Sequence, residues 1–364
     1  MPGKSRKIRK RLTFTGITAR FVMFVVAGLL VLSYLSVFIN PAYFWFITLF
    51  GLLFIPLAIV NLFLLGWAVK RRSRSFMIPF LALLPSFFFI GAYVQVAGAD
   101  EADDVAGRDV KVVSYNVGRF MQGGSGAKAR SACMDSVMNF LKATDADIIC
   151  LQEFYFSDNV DLRRLITRKI KGYNAEYYLF NGKRGRYGNV TLSRFKSEDK
   201  GVIKFDGSAN LAIYTDYCIG AERLRVYNCH FESYNVSPSG ILRSVLERDK
   251  EKIKDTEDKM RSGILRRPKQ VSKVLKHIAD SPVEAMVCGD FNDSPMSYTY
   301  FRLSRGRRDT FRESGKGLSA TFSLLWPLIR IDYVLYPKKY TGISHETPKK
   351  SYSDHYPVVA EIRI

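Results

Sequence analysis

Asp354-His355, followed by Tyr356-Pro357 near the C-terminus, couples a carboxylate to an imidazole just ahead of an apolar run. Other polar patches precede it in order, each at the end of a strand-like apolar stretch. Ser114-Tyr115-Asn116-Val117 offers a neutral amide, and Asp147–Leu151 leads into Gln152-Glu153. A carboxylate at a strand end can hold Mg²⁺ while the ion keeps several waters. In Tyr227-Asn228-Cys229-His230-Phe231-Glu232 the strand period of two puts Asn228, His230 and Glu232 on one face. Gly289-Asp290-Phe291-Asn292-Asp293-Ser294-Pro295 again sets two polar groups two apart, and Pro295 stops the element. Arg330-Ile331-Asp332-Tyr333 opens a later strand. Asp332 and His355 suit a carboxylate–imidazole pair, in which the acid fixes the tautomer and raises the basicity of the ring. Taken singly, each is an ordinary turn, cap or edge residue; the ordered set carries the reading.

The elements that must position these groups alternate. Strands are expected over Val110–Val117, Asp147–Leu151, Asn189–Leu192, Asn210–Tyr217, Leu224–Phe231, Val283–Cys288, Ile331–Tyr336 and Val358–Ile362. Helices are expected over Ala129–Ala143 and most of Ile241–Ile278. The charge-mixed stretch from Glu247 to Lys259 reads as a solvated helical hairpin, with a substrate-side or membrane-facing cap as the alternative. Interleaved strands and helices predict a layered α/β domain.

The 364 residues exceed one minimal domain. Residues 1–98 carry eleven Lys/Arg and no Asp/Glu, while the remaining 266 carry 44 basic and 34 acidic side chains. The first part is apolar in three runs, about 21–39, 44–69 and 76–96, each long enough to read as a membrane span. Lys4, Arg6, Lys7, Arg9, Lys10, Arg11 and Arg20 precede the first run, and Lys70, Arg71, Arg72 and Arg74 separate the second and third. The positive-inside bias then places the N-terminus in the cytoplasm and the C-terminal domain on the outer face, the periplasmic side of a bacterial inner membrane. Residues 99–107, with Asp100, Glu101, Asp103 and Asp104, read as a linker, and 108–364 as the soluble domain. The five cysteines show no metal-knuckle spacing, and Cys150, Cys229 and Cys288 read as small core residues. His277 and His345 lack a supporting motif and read as structural or surface residues.

The ordered set, including Gly289-Asp290-Phe291-Asn292 and Ser353-Asp354-His355-Tyr356-Pro357, resembles the endonuclease/exonuclease/phosphatase superfamily, also called DNase I-like, over residues 108–364. The whole chain resembles its membrane-anchored bacterial members with three N-terminal spans. The resemblance implies a four-layer αββα sandwich and a Mg²⁺ cofactor, with Mn²⁺ as the alternative. It puts Asn116 and Glu153 at metal-binding positions, and Asp290 and Asn292 at the pair that contacts the nucleophilic water, the phosphate and a second metal. It gives His230 to the DNase- and sphingomyelinase-like branches, Asp332 to orienting His355, and Asp354 to the metal's vicinity or the reacting phosphate. Asn189 lies beside the site floor without an assigned role. No serine or cysteine has a nucleophile's context, so direct attack of water is expected. The implied activity is metal-dependent phosphoester hydrolysis, the diester favoured. The substrate stays open between DNA or RNA and a lipid headgroup, and a non-catalytic scaffold is the contrasting reading.

Overall fold

The computed structural model describes residues 14–96, 98, 107–157, 161–182 and 185–364. Lys4 to Arg11 and the acidic residues Asp100 to Asp104 of the expected linker lie outside the described residues.

Strands β1 (Asp109–Asn116), β2 (Ile148–Phe156), β3 (Asn174–Gly182), β4 (Gly185–Ser193), β5 (Ser197–Lys204) and β6 (Leu211–Ile219) come first. They are followed by β7 (Glu222–His230), β8 (Glu284–Asp290), β9 (Arg307–Asp309), β10 (Asp332–Pro337), β11 (Thr341–Glu346) and β12 (Val358–Arg363). They form two six-stranded sheets, in the orders β11-β12-β1-β2-β4-β3 and β9-β10-β8-β7-β6-β5. Val112, Ile148, Cys150, Val226, Met286, Cys288 and Val358 fill the layer between the sheets. These side chains, mostly β-branched or thiol with Met286 as the flexible filler, are compact enough to pack two pleated faces together. The outer face of the first sheet is covered by the helices Ala127–Thr144 and Leu162–Lys169, the second by Lys250–Ala279 and Tyr298–Ser304. The expected αββα order of layers is therefore present.

The long helix Lys250–Ala279 starts on Asp249, whose carboxylate accepts the Lys252 N–H at 3.1 Å. Its face from Gly263 to Val274 is buried on the sheet, whereas residues 250–260 project beyond it. The charge-mixed stretch from Glu247 to Lys259 is therefore a short turn and the first turns of this one helix, not a hairpin of its own; the preceding helix, Pro238–Leu246, lies before it.

The N-terminal part differs from expectation. Among the described residues one helix, Phe14–Leu35, is long and apolar enough to cross a membrane, about 33 Å at 1.5 Å per residue. The other two expected spans are matched by shorter apolar helices, Phe54–Lys70 and Arg74–Ile90. A break at Leu53 splits the second run into Ile47–Leu52 and Phe54–Lys70, and Pro85 interrupts the third, since proline has no N–H to continue the ladder. The three segments pack antiparallel around Leu30, Tyr34, Phe54, Ala82 and Tyr93. Arg20 Nε bonds Ser75 Oγ at 2.9 Å, so Arg20 and the Lys70–Arg74 cluster gather at one end. The α/β sandwich sits at the other end. There Ser36 Oγ donates to Met296 O at 2.8 Å, and Val94-Gln95 pairs with Gly317-Leu318 as a short antiparallel ladder.

Candidate active site

Two parallel strand pairs, one in each sheet, end side by side. In the first sheet Asn116 is the register partner of Gln152; in the second His230 is the partner of Asp290. Asp332, at the start of β10, faces Asp290 across an antiparallel pair. The strand ends of both sheets thereby deliver their polar residues to one edge of the sandwich. Two local irregularities complete the aim. The β2–β4 register shifts between Leu151 and Phe154, and Glu153 there takes φ +51°. Asn292 takes the same φ of +51° just beyond β8. Left-handed backbone at non-glycine residues costs about 1 kcal/mol or more, and concentrates where side-chain aim matters. Gly289 is required by close approach, because a Cβ there would lie 1.9 Å from Cys229 O, at φ +136°.

The resulting geometry converges on Asp290. Its Oδ2 accepts Asn116 Nδ2 at 2.9 Å and Asn292 Nδ2 at 3.2 Å, and its Oδ1 accepts the Asn292 N–H at 2.8 Å. His230 Nε2 and His355 Nε2 each stand 3.8 Å from that same Oδ2. Neither distance is a hydrogen bond, so both ring nitrogens remain available to a phosphate oxygen. His355 Nδ1 bonds Asp332 Oδ2 at 2.9 Å. Glu153 Oε1 lies 3.4 Å from Asn116 Nδ2 and 3.8 Å from His230 Nε2, while its Oε2 meets Arg119 Nε at 3.2 Å.

Burial and charge set the protonation of this cluster. Burial, reinforced by Asp332, pushes Asp290 up to about 6 against the pull of His355, His230 and Asn116. Burial works against charge on His355, yet Asp332 and Asp290 lift it to about 10. Burial also opposes ionisation of Glu153, but His230, Arg119 and His355 outweigh it and hold the carboxyl below its ordinary value. The site therefore pairs a reluctant carboxylate with a firmly protonated imidazole, the separation that acid–base chemistry needs.

The profile of the endonuclease/exonuclease/phosphatase family matches residues 113–355, which include every one of these side chains. The chain belongs to the endonuclease/exonuclease/phosphatase family. Residues 16–93 match a second family, a domain of unknown function (DUF8431). No curated protein matches the chain. Among solved structures it is similar to an endonuclease/exonuclease/phosphatase from Beutenbergia cavernae, at TM-score 0.51 and 16% identity over 71% of this chain and 72% of that one. An endonuclease/exonuclease/phosphatase family protein from Leptotrichia buccalis gives TM-score 0.50 and 14% identity, over 70% and 100% of the two chains. A humanized D. rerio TDP2 gives 0.50 and 15%, over 70% and 99%. At these identities the likeness shows the fold.

For this member of the endonuclease/exonuclease/phosphatase family, the donor set fits a hard divalent cation. Asp290, Asp332 and His355 bring ligand atoms within 4.8 Å of one another, and Asp332 Oδ1 is buried without a partner. Because Asp332 Oδ2 and His355 Nδ1 already bind each other, the carboxylates left to hold an ion are Glu153 and Asp290. Asn116 departs from the expected ligand role in one respect. Its Oδ1 accepts the Gly118 N–H at 3.0 Å, so its Nδ2 is the atom turned toward Glu153 and Asp290. As oriented, it relieves the repulsion between two carboxylates by donation.

Asp354 sits on the rim, its Oδ1 bonded by Ser353 Oγ at 3.2 Å, and it adds to the negative surroundings that keep His355 protonated. Glu232 does not join the site. It lies past the end of β7 and turns to Ser208 Oγ at 2.5 Å and Gln270 Nε2 at 3.1 Å. Asn228 belongs to a brace under the floor, where its Oδ1 takes Gln152 Nε2 at 2.8 Å and its backbone O takes Asn189 Nδ2 at 3.0 Å. These buried amides lock the two sheets in register beneath the site. Arg119 is a residue that sequence reasoning missed. It reaches Glu153 while its guanidinium lies 4.6 Å from the centre of the Tyr187 ring. The only sequence signal was a cation three residues after Asn116.

Proposed function

We propose that the protein is a membrane-tethered, divalent-metal-dependent phosphoester hydrolase, acting on diesters by direct attack of water on the extracytoplasmic side. The observation that carries this is the convergence of two imidazoles, His230 and His355, on one carboxylate oxygen of Asp290, with Asp332 behind His355. Family membership supports the reaction class, and the gathering of Arg20 and the Lys70–Arg74 cluster at the end of the helices away from the sandwich supports the orientation.

Glu153 and Asp290 would hold Mg²⁺, or Mn²⁺ in its place, while Asn116 and Asn292 steady the two carboxylates by donating to them. When bound, the ion supplies charge relief on the non-bridging oxygens and the leaving oxygen. Asp290, whose carboxylate burial makes readier to accept a proton, takes the proton of the attacking water. Asn292 fixes Asp290 through two hydrogen bonds and so orients that exchange. His355, kept protonated by Asp332, donates to the phosphate, and His230 reaches the same reacting group from the other sheet. Asp354 sustains the charge on His355 from the rim.

The test is turnover of bis-para-nitrophenyl phosphate by the purified full chain in Mg²⁺, with His355→Ala and Glu153→Gln as controls. Loss of turnover in both variants with the fold retained is the expected result. Undiminished turnover in either one removes that residue from the mechanism.

A further inference from the structure

We infer that the substrate of this site is a phosphodiester lipid of the membrane in which the protein sits, taken at the bilayer surface; the inference rests on the hydrolase reading above. It starts from which edge of the sandwich meets the helices. Met296, six residues after Asp290, is buried among Leu30, Tyr34, Phe54 and Tyr93, with its carbonyl on Ser36. Gly51 lies so close to that carbonyl that a Cβ would come within 2.1 Å of it. Arg330, two residues before Asp332, donates to Ala92 O at 3.3 Å, and Ser319 Oγ donates to the same oxygen at 3.1 Å. The segments that carry Asp290 and Asp332 are therefore the ones seated on the helices. The catalytic edge lies at the level where Phe14–Leu35 leaves a bilayer.

The aromatic residues Tyr43, Phe44, Trp45 and Phe46 mark that level. Tyr43 is 79% and Phe44 55% exposed, the placement aromatic rings take at a membrane interface. Arg261 lies 5.9 Å from the centre of the Trp45 ring, so the overhanging residues 250–260 leave the sandwich beside these aromatics, and the helix Pro238–Leu246 precedes them in the chain. That short helix leaves Leu242, Val245 and Leu246 uncovered at 60%, 56% and 73%, on one face by the i, i+3, i+4 rule.

A second uncovered apolar element hangs on the catalytic residues themselves. The loop Leu324–Leu328 is closed by Ser323 N and Oγ, both at 2.8 Å from Asp354 O, and by a bridge between Phe322 and His355. Leu324 is 61% and Trp326 43% exposed, and the Lys349 ammonium lies 3.8 Å from the centre of the Trp326 ring. Apolar side chains beside a lysine complement an anionic headgroup layer, with the apolar part below and the cation at the phosphates. Water adds across one P–O bond of the diester. Its hydroxyl goes to phosphorus and a proton to the leaving oxygen, giving a phosphomonoester and an alcohol. One product stays in the bilayer and the other enters water.

The experiment uses the full chain reconstituted into vesicles of phosphatidylethanolamine and phosphatidylglycerol with Mg²⁺. Release of a water-soluble headgroup fragment is read against hydrolysis of bis-para-nitrophenyl phosphate and of single-stranded DNA by the same preparation. Headgroup release is expected. The ratio of lipid to aryl-diester turnover is expected to fall about ten-fold in Leu324→Ser/Leu328→Ser and in Leu242→Ser/Leu246→Ser, the factor that about 1.4 kcal/mol of lost apolar burial brings. Cleavage of the aryl diester or DNA without headgroup release overturns this inference and leaves the hydrolase reading standing. Silence on all three overturns both. Headgroup release with unchanged ratios in both variants overturns the docking role of the two apolar elements.

Discussion

Asp332 Oδ2 and His355 Nδ1 meet at 2.9 Å, although 23 residues separate them and they enter from different sheets. The bond fixes which ring nitrogen faces Asp290, because Nδ1 is committed to the acid and Nε2 is presented to the reacting group. Asp332→Asn keeps the size and removes the charge that lifts His355. Turnover on an aryl phosphodiester should fall about 100-fold or more, with little change in thermal unfolding. A kcat within a few-fold of the parent, measured on folded protein, would contradict the orienting role.

Asp290 sets the acid limb of the pH profile. A carboxyl raised to about 6 is protonated below that pH and cannot accept a proton from water, so kcat should decline as pH falls through about 6. A bound cation stabilises the carboxylate. Raising Mg²⁺ should therefore move the limb to lower pH, and an acid limb indifferent to Mg²⁺ would separate Asp290 from the ion.

His345 makes the fold sensitive to acid. Burial, helped by the charge of Arg330, depresses it to about 3, with Thr310 Oγ1 at 2.8 Å from Nδ1. Its folded value lies below its unfolded value of about 6.5, so the unfolded chain binds the extra proton. Its share of stability is complete above about 6.5 and is lost as pH falls toward 3, at about 1.4 kcal/mol per pH unit. His345→Gln should flatten that slope in urea unfolding measured across this window.

Arg330 and Asp309 form a fully buried pair, with Nη2 on Oδ1 at 2.5 Å and Nη1 on Oδ2 at 2.8 Å. Removing the guanidinium strands Asp309 in a low-dielectric interior. Arg330→Met should cost about 3–5 kcal/mol, and adding Asp309→Asn should recover part of it. Additive losses in a double-mutant cycle would show that the two charges do not depend on each other.

Cys218 is the single exposed thiol among the five; Cys133, Cys150, Cys229 and Cys288 are buried. A membrane-impermeant maleimide should label right-side-out vesicles, and Cys218→Ser should abolish the label. Glu198 raises the thiol's pKa, so mildly alkaline pH suits the reaction. Labelling that needs detergent would invert the proposed orientation.

The central strands were legible because β1, β2, β7, β8 and β10 are buried on both faces and read as apolar runs that end in polar residues. Edge strands were not. The sequence Ser-Glu-Asp-Lys of β5 and the exposed ends of β3 carry charge and amides that suit a solvated edge and hide the period of two. His230 and Asp290 were readable from strand alternation. Glu153's aim was not, since it depends on a register shift that no local pattern announces. Glu232 failed for a related reason: alternation stops where β7 stops, at His230. The apolar N-terminal runs were visible as composition, but run length overstates helix length where the chain breaks at Leu53 and Pro85.

The seat of Met296 on Ser36 and Gly51 has a kinetic meaning. A domain held by a floppy tether can sweep a volume and meet what diffuses past. A domain whose catalytic edge is pressed onto its own anchor has no reach, and travels only as the anchor travels. Under the lipid-surface proposal its encounters are then counted per unit area of surface, and its rate follows the crowding of that surface in place of the concentration of the surrounding fluid.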